Sequence, residues 1–194
     1  MVIGIDVGGT TVKFGLVKVT GEIVTQKRID TAAAAKGPGL VEAMIEEVRN
    51  FLKDYPNIEG IGIGFPGLVS KDRNSVIHLP NIANVHQQNV VGKFREAFPN
   101  IKVKIENDAK CAAVGELQFG QAKGLDSYIF VTLGTGVGGG FVLDGKLFLG
   151  AKGNATEVGH MFTPIEGKTV EEHLGLNQII EFAKKKLEIG RAHV

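Results

Sequence analysis

Val2-Ile-Gly-Ile-Asp-Val-Gly-Gly-Thr-Thr-Val-Lys-Phe-Gly-Leu-Val17 is the stretch of sequence on which the prediction of the fold depends. Its apolar residues predict two strands, Val2–Val7 and Thr11–Val17, joined by a tight Gly-Gly-Thr turn. Asp6 ends the first strand and faces the same turn as the hydroxyls of Thr10 and Thr11, so the turn could hold a metal-bound phosphate. An ordinary hairpin with a solvated Asp6 is an equally good interpretation of this stretch taken alone.

A second glycine-rich segment repeats this pattern in the other half of the chain. Strand Ser127–Leu133 precedes the turn Gly134-Thr135-Gly136-Val137-Gly138-Gly139-Gly140, and strand Phe141–Leu143 follows it. The two similar turns predict two related domains that face each other across a cleft. A flexible linker is also rich in glycine, but the closely flanking strands favour a turn.

The residues between the two turns predict a mixed sheet with helices. A third strand over 21–31 would complete an antiparallel meander, and the small residues of 32–39 indicate a linker. Helices and buried strands then alternate, which is typical of a parallel sheet. The elements predicted from there on are helix Leu40–Leu52, strand Ile58–Phe65, irregular Ser70–Gln88, helix Val90–Phe98, strand Lys102–Glu106, helix Ala109–Phe119, strand Lys146–Leu149 and one amphipathic helix Thr169–Leu187.

Asp108 lies between a predicted strand and a predicted helix. In α/β proteins, ligands bind at the carboxyl ends of the parallel strands, where helices begin, so this carboxylate is a candidate functional group. Aspartate is also a common helix N-cap, and the two roles are compatible.

Composition and charge are those of an ordinary globular protein. The 194 residues are 43% hydrophobic and carry a formal net charge of +1, which gives no general attraction to nucleic acid or an anionic membrane. Cys111 is the only cysteine, which excludes an intrachain disulfide and favours the cytoplasm; we expect it to be a small core residue. The sequence enters a predicted strand at once, so we expect no signal peptide, and it contains no apolar run long enough to cross a membrane.

Five short motifs in order resemble the ROK family of sugar kinases and repressors. They are Asp6-Val-Gly-Gly-Thr10, Gly64-Phe-Pro-Gly67, Glu106-Asn-Asp108, Gly134-Thr-Gly-Val-Gly138 and Glu157-Val-Gly-His160. The resemblance implies an α/β, actin/hexokinase-like ATPase fold (ribonuclease H-like) in which two domains flank a cleft. It divides the chain into an N-terminal domain, 1–108, and a partial, incomplete C-terminal domain, 109–187, each with one phosphate loop.

The same resemblance implies roles for individual residues. Asp108 would be the general base, and Asp6 would lie near Mg²⁺. The residues implied to bind sugar hydroxyls are Asn81, Asn107, Asp108, Glu157, His160 and Glu171. The residues implied to bind the phosphates of ATP are Asp6, Gly8, Gly9, Thr10, Thr11, Lys13, Gly134, Thr135, Gly136 and Gly138. Without the resemblance, Asn81 could form a turn after Pro80, and Glu157 with His160 could be an exposed helical pair.

The chain departs from the family pattern after His160. Many ROK proteins have a zinc cluster there, built from that histidine and three cysteines. Here the segment from Met161 to Thr169 contains no cysteine. A site of this type needs its thiolates, so we expect no zinc and a His160 that is available to the sugar. Zinc-less relatives include glucokinases that use polyphosphate, so polyphosphate is an alternative phosphoryl donor.

A second departure is the length of the chain. Family members continue through further elements that complete the second domain and form the adenine pocket. The last residues, 188–194, break the helical pattern and resemble a translated sequencing adapter, so we expect a longer natural protein and a non-native tail.

Three functions follow from the resemblance. The first is a hexokinase that acts in glycolysis, most simply a glucokinase that uses ATP and Mg²⁺ to form glucose 6-phosphate. The second is a sugar-responsive repressor; because the first strand begins directly after Met1, we expect no DNA-reading helix before it. The third is a sugar-binding remnant without catalysis. Dimers are common in the family, which implies a homodimer.

Overall fold

The computed structural model describes residues 1–37, 39–79, 85 and 87–187, which form ten strands and six α-helices. The strands are β1 (Val2–Val7), β2 (Thr11–Val17), β3 (Ile23–Asp30), β4 (Gly60–Phe65), β5 (Leu68–Val69), β6 (Val76–His78), β7 (Lys102–Asn107), β8 (Tyr128–Leu133), β9 (Val137–Leu143) and β10 (Lys146–Leu147). The helices are α1 (Thr31–Lys36), α2 (Leu40–Asp54), α3 (Val90–Ala97), α4 (Asp108–Phe119), α5 (Val170–Leu174) and α6 (Leu176–Leu187).

A five-stranded sheet is the centre of the fold. Its strand order is β3-β2-β1-β4-β7, with β1, β2 and β3 antiparallel and β1, β4 and β7 parallel. The predicted meander followed by a parallel sheet is therefore confirmed. Asp6 pairs with Lys13 on one side and with Gly64 on the other, and Phe65 pairs with Asn107. This register brings the ends of β1, β4 and β7 to one edge of the sheet.

The two faces of this sheet differ because strand residues alternate between them. Apolar side chains of one face form a buried core with α2 and α3; within it the rings of Phe14 and Phe51 lie 6.4 Å apart. The opposite face carries glycine at many of the alternating positions, including Gly4, Gly15 and Gly62. That face is therefore open, since glycine has no side chain to cover it.

A second sheet holds the other glycine-rich segment. Strands β8, β9 and β10 form an antiparallel sheet in the order β10-β9-β8, and α4 packs on β9. Large side chains on the outer face of β8 stay exposed, as do the apolar residues of α6. No helix in the described part of the chain is both long and apolar enough to cross a membrane.

The segment expected to be a linker contains a helix. Residues Thr31–Lys36 form α1, and the carboxylate of Asp30 accepts a 2.7 Å hydrogen bond from the Ala33 N–H as its N-cap. Alanine has the highest helix propensity of all residues, so a run of four favours a helix. The prediction of a linker gave too much weight to the small size of these side chains.

Three further boundaries differ from the predictions. The segment Ser70–Gln88, expected to be irregular, contains β6, which pairs with β5. The helix expected over Thr169–Leu187 is interrupted at Gly175, where α5 ends and α6 begins. Strand β9 begins at Val137 rather than at Phe141, so that part of the expected turn is strand. Residues 188–194 lie outside the described residues, and the domain boundary at 108 stays a prediction.

Candidate active site

Asp108 begins helix α4 at the edge where β7 ends. The N-cap is Asn107, not Asp108: the Asn107 side chain accepts a 3.1 Å hydrogen bond from the Lys110 N–H and donates one of 3.2 Å to the Gly67 carbonyl. Oδ1 of Asp108 accepts a 2.8 Å bond from the Ala109 N–H. Since Asn107 is only 8% exposed and both ends of its amide have partners, its predicted sugar contact stays a prediction.

The surroundings of Asp108 favour its protonated form. Partial burial raises the pKa of this carboxyl above its usual range, and the negative charges of Asp6 and Glu157 raise it further, against the bond from the Ala109 N–H. Three of the predicted site residues are therefore close enough for their charges to interact, although they come from distant parts of the sequence.

Asp6 and Lys13 lie side by side at the first turn. Lys13 Nζ is 2.9 Å from Asp6 Oδ2, and both side chains are about half exposed. The Gly8 N–H donates to the Thr11 carbonyl at 3.0 Å, where a side chain at Gly8 would collide. A Cβ added at Gly9 would have no atom within 4 Å, so this part of the turn is open.

Thr31 holds this turn and was missed by the sequence interpretation. Its hydroxyl donates to the Gly8 carbonyl at 2.7 Å, and its N–H donates to the Thr10 carbonyl at 3.0 Å. The side chain is buried at the start of α1. The signal was the Asp30-Thr31 pair before four alanines, which is a typical helix start.

One cavity of about 580 Å³ is lined both by residues beside the first turn and by residues at the start of α4. Asp6, Lys13 and Asp108 line it, and the glycines of the open sheet face form its floor. Gly64 lies beside the start of α4: a Cβ added there would make an ordinary van der Waals contact of 3.5 Å with the Asp108 Cα.

Cys111 also lines this cavity, so the expectation of a core residue is wrong. Its side chain is exposed because it faces the glycine side of the sheet, where no side chain covers it. The concave site still desolvates the Cys111 thiol in part, which raises its pKa, and the carboxylates of Glu106, Asp108 and Asp6 raise it further. The thiol is therefore protonated at neutral pH and a weak nucleophile.

The second glycine-rich turn is shorter than expected. The Gly134 N–H donates to the Gly136 carbonyl at 2.9 Å, and β9 starts at the next residue. Gly138, predicted to bind phosphate, lies within β9, where a side chain would collide with Ala109 of α4. Thr135 is exposed at the tip of the turn.

Glu171 contacts this second turn. Its Oε2 accepts a 2.8 Å hydrogen bond from the Val137 N–H, and a side chain at Gly136 would collide with the same oxygen. The structure therefore places the carboxylate of Glu171 against the predicted phosphate loop. Its predicted contact with a sugar hydroxyl is not tested by this arrangement.

Glu157 precedes and His160 ends a single 3-10 turn, Val158–His160, rather than a longer helix. Gly159 is buried there, and a side chain on it would lie 2.1 Å from the Val137 carbonyl oxygen. The glycine of the Glu-Val-Gly-His motif thus lets this turn pack on β9. His160 is exposed, and Asn81 lies outside the described residues.

The fit of a magnesium ion depends on the donors near Asp6. In the described part of the chain, no three His, Cys, Asp or Glu side chains gather as a ready ligand set. Mg²⁺ is usually held by one or two carboxylates together with substrate phosphates and water. The half-exposed carboxylate of Asp6 at the cavity fits that kind of shared site.

Comparison with known proteins gives consistent matches. The sequence profile described as "ROK family" matches residues 2–173. A glucokinase of Halalkalibacterium halodurans is 34% identical over 169 residues, 85% of this chain and 51% of that protein. A xylose repressor of Caldicellulosiruptor bescii is 33% identical over 165 residues, 82% of this chain and 40% of the repressor. The chain thus spans about half the length of the curated relatives it matches, or less.

Solved structures match the fold. A protein of Cytophaga hutchinsonii named as a candidate sugar kinase is 52% identical, with a TM-score of 0.92 over 98% of this chain and 63% of that chain. A ROK glucokinase of Streptomyces griseus, solved with glucose and AMPPNP, is 31% identical, with a TM-score of 0.81 over 97% of this chain and 62% of that chain. The predicted actin/hexokinase-like α/β fold is thereby confirmed.

Proposed function

The chain belongs to the ROK family, and from that premise we propose that it carries the catalytic base of a sugar kinase. The proposed reaction transfers the γ-phosphoryl group of ATP to a hexose hydroxyl, converting glucose to glucose 6-phosphate. Glucose and an ATP analogue are bound in the structure of the S. griseus relative, which supports this choice of substrates.

The observation that carries the proposal is the shared cavity of Asp108, Asp6 and Lys13. The two carboxylates have different surroundings: Asp6 is half exposed beside an ammonium group, whereas Asp108 is partly buried with a raised pKa. Pairs of acids whose environments differ in this way are typical of sites that divide charge stabilisation from proton transfer.

Asp108 is the proposed general base. A carboxylate with a raised pKa accepts a proton more readily than an ordinary aspartate, because less free energy separates it from the alcohol. As the hexose oxygen bonds to the γ-phosphorus, its proton passes to the Asp108 carboxylate. In the same step the bond from that phosphorus to the bridging oxygen breaks, and ADP leaves.

The first turn is the proposed phosphate site. Gly9 leaves the turn open, so a phosphate can approach the backbone N–H groups closely, and Lys13 adds a positive charge. Thr10, Thr11 and the second turn at Gly134–Gly136 would complete the phosphate contacts. Mg²⁺, held by Asp6 and the phosphates, would neutralise charge that develops on the phosphoryl oxygens.

Glu157 and His160 are the proposed sugar-binding residues, together with Asn81, Asn107 and Glu171. Carboxylate, amide and imidazole groups supply the paired donors and acceptors that sugar hydroxyls need. The reaction would take place in the cytoplasm, where ATP is available, and we propose a homodimer as the assembly.

A sugar-responsive regulator is the second candidate, since the xylose repressor aligns with 82% of the chain. A regulator needs to bind the sugar but not to turn it over. The retained Asp108 cavity therefore favours the enzyme.

The test is a coupled kinase assay with wild type and Asp108→Asn, using a hexose panel against ATP and polyphosphate. Removal of a general base typically lowers turnover about 10²–10⁴-fold, while glucose binding measured by calorimetry should change little. Asp54→Asn, on the exposed end of α2, is the matched control and should behave as wild type. Undiminished turnover of Asp108→Asn would refute the base assignment, and sugar binding without any turnover by wild type would favour the regulator.

A further inference from the structure

Lys110 is a buried cation for which the proposed mechanism has no role. It is the third residue of α4, two residues after Asp108, and its side chain is 0% exposed. No other lysine or arginine among the described residues is buried to this extent. Because a buried ammonium group is costly unless it is paired, its partner is the clue to its role.

That partner is Glu157, a proposed sugar-binding residue. Lys110 Nζ donates to Glu157 Oε1 at 3.1 Å, while the Glu157 side chain keeps 33% of its surface exposed. Oε2, the other carboxylate oxygen, accepts no hydrogen bond from any residue described. The pair is thus asymmetric: the cation is enclosed, and the anion has one oxygen fixed and one oxygen available.

The backbone beside Glu157 gives a second, independent observation. Thr156 has φ of 69°, a left-handed conformation that is strained for a β-branched residue. The chain is held just before this strained residue, because the Gly153 carbonyl accepts a 2.5 Å hydrogen bond from Nη2 of Arg73. Strain of this kind persists only where the surroundings determine the geometry, and it is concentrated at functional sites.

We propose that Lys110 is a positioning residue for substrate recognition. It holds Oε1 of Glu157 so that Oε2 faces a sugar hydroxyl. Since Lys110 and Asp108 share the first turn of α4, the sugar-binding carboxylate and the base keep a constant separation. This inference rests on the proposed sugar kinase function. The alternative is a buried pair that serves only stability. In that case replacing Lys110 would leave the hexose KM unchanged.

The test measures kcat, hexose KM and ATP KM for wild type, Lys110→Met and Glu157→Gln, and for the double variant. Methionine keeps an unbranched apolar stem but removes the charge. We expect Lys110→Met to raise the hexose KM about tenfold with the ATP KM unchanged, as loss of one oriented ligand does. In the Glu157→Gln background, Lys110→Met should have almost no further effect on hexose KM. Lys123→Met, on the exposed segment after α4, is the matched control.

An unchanged hexose KM in Lys110→Met would overturn the inference, as would equal changes in both KM values or additive effects in the double variant. If Lys110→Met does not fold, Lys110→Gln, whose side-chain amide can still donate a hydrogen bond but carries no charge, should show a smaller rise in hexose KM, and no rise would overturn the proposal. A wild type that phosphorylates no hexose refutes the kinase proposal itself. An active wild type with an unaffected Lys110→Met refutes only the role of Lys110.

Discussion

Asp108, the proposed general base, lies in an unfavourable electrostatic environment. Burial and the charges of Asp6 and Glu157 raise its pKa, so the folded chain holds this proton more tightly than the unfolded chain does. Ionising Asp108 therefore costs stability. This loss of stability is absent below pH 3.8, the ordinary pKa of an aspartate. It is complete once the pH has risen above the raised pKa of Asp108.

Asp108→Asn should accordingly be more stable than wild type at neutral pH, because the amide carries no charge in the same environment. The difference in free energy of unfolding should shrink as the pH falls through the raised pKa towards 3.8. Urea unfolding between pH 4 and pH 8, in EDTA and without nucleotide, measures it. A difference that stays constant with pH, or one that grows towards low pH, would contradict this prediction.

Strand β9 shows how an element can need glycine for packing rather than for ligand contact. A side chain at Gly138 would lie 2.8 Å from the Ala109 Cβ, and one at Gly140 would lie 2.5 Å from the Ala113 Cβ. Both alanines are buried on α4. The run of glycines therefore lets α4, which begins with Asp108, lie directly on the second sheet.

Gly140→Ala should destabilise the fold by about 1–3 kcal/mol, the usual cost of overpacking a close contact. Thermal or urea unfolding measures the change. Gly115→Ala is the control of opposite sign: Gly115 lies within α4, and nothing is within 4 Å of its would-be Cβ. That change should stabilise by about 0.5–1 kcal/mol, because alanine favours a helix. Equal effects of the two substitutions would show that the close contact with α4 is not the reason for glycine at position 140.

Arg73 connects distant parts of the whole molecule. Its guanidinium donates from Nε to Glu106 Oε2 at 2.7 Å, from Nη1 to the Ser70 carbonyl at 2.9 Å and from Nη2 to the Gly153 carbonyl at 2.5 Å. Of these acceptors, Glu106 lies in β7, Ser70 in the segment after β5 and Gly153 in the segment after β10. Arg73 and Lys110 therefore both donate hydrogen bonds to residues that precede the 3-10 turn.

Arg73→Lys should lower the free energy of unfolding by about 1–3 kcal/mol, because a single ammonium cannot reach three acceptors that a planar guanidinium reaches together. Arg49→Lys is the matched control: Arg49 is exposed and pairs with Glu46 on α2 at 3.2 Å. Its effect should stay within about 0.5 kcal/mol, as for most exposed ion pairs. Similar losses in both variants would mean that the three-way contact of Arg73 adds no stability.

Much of the architecture was predictable because short-range patterns determine it. The alternation of apolar residues in β1 and β4 and the helical period of α2 need no knowledge of distant neighbours. The errors arose where a local pattern was ambiguous. Four alanines were interpreted as a linker although Asp30 caps them, and Gly138 was interpreted as turn although it pairs in β9.

The candidate site was predictable only in part. The motifs named Asp6, Asp108, Glu157 and His160, but the sequence had no signal for the partner of Glu157. Lys110 resembles any lysine near a helix start, and its burial is evident only once α4 has packed against the sheets. Cys111, one residue later, was expected inside and lies on the cavity wall.

The sequence by itself determined the order of the long strands and helices, the two glycine-rich turns and the residue types on which the proposed phosphoryl transfer is based. These depend on backbone preference and on hydrophobic period, which are properties of neighbouring residues. Only the tertiary structure decided which glycines serve packing, which lysine is buried and which carboxylates influence one another. Those properties depend on distances between residues that are far apart in the chain, and such distances exist only once the sheets and α4 have packed together.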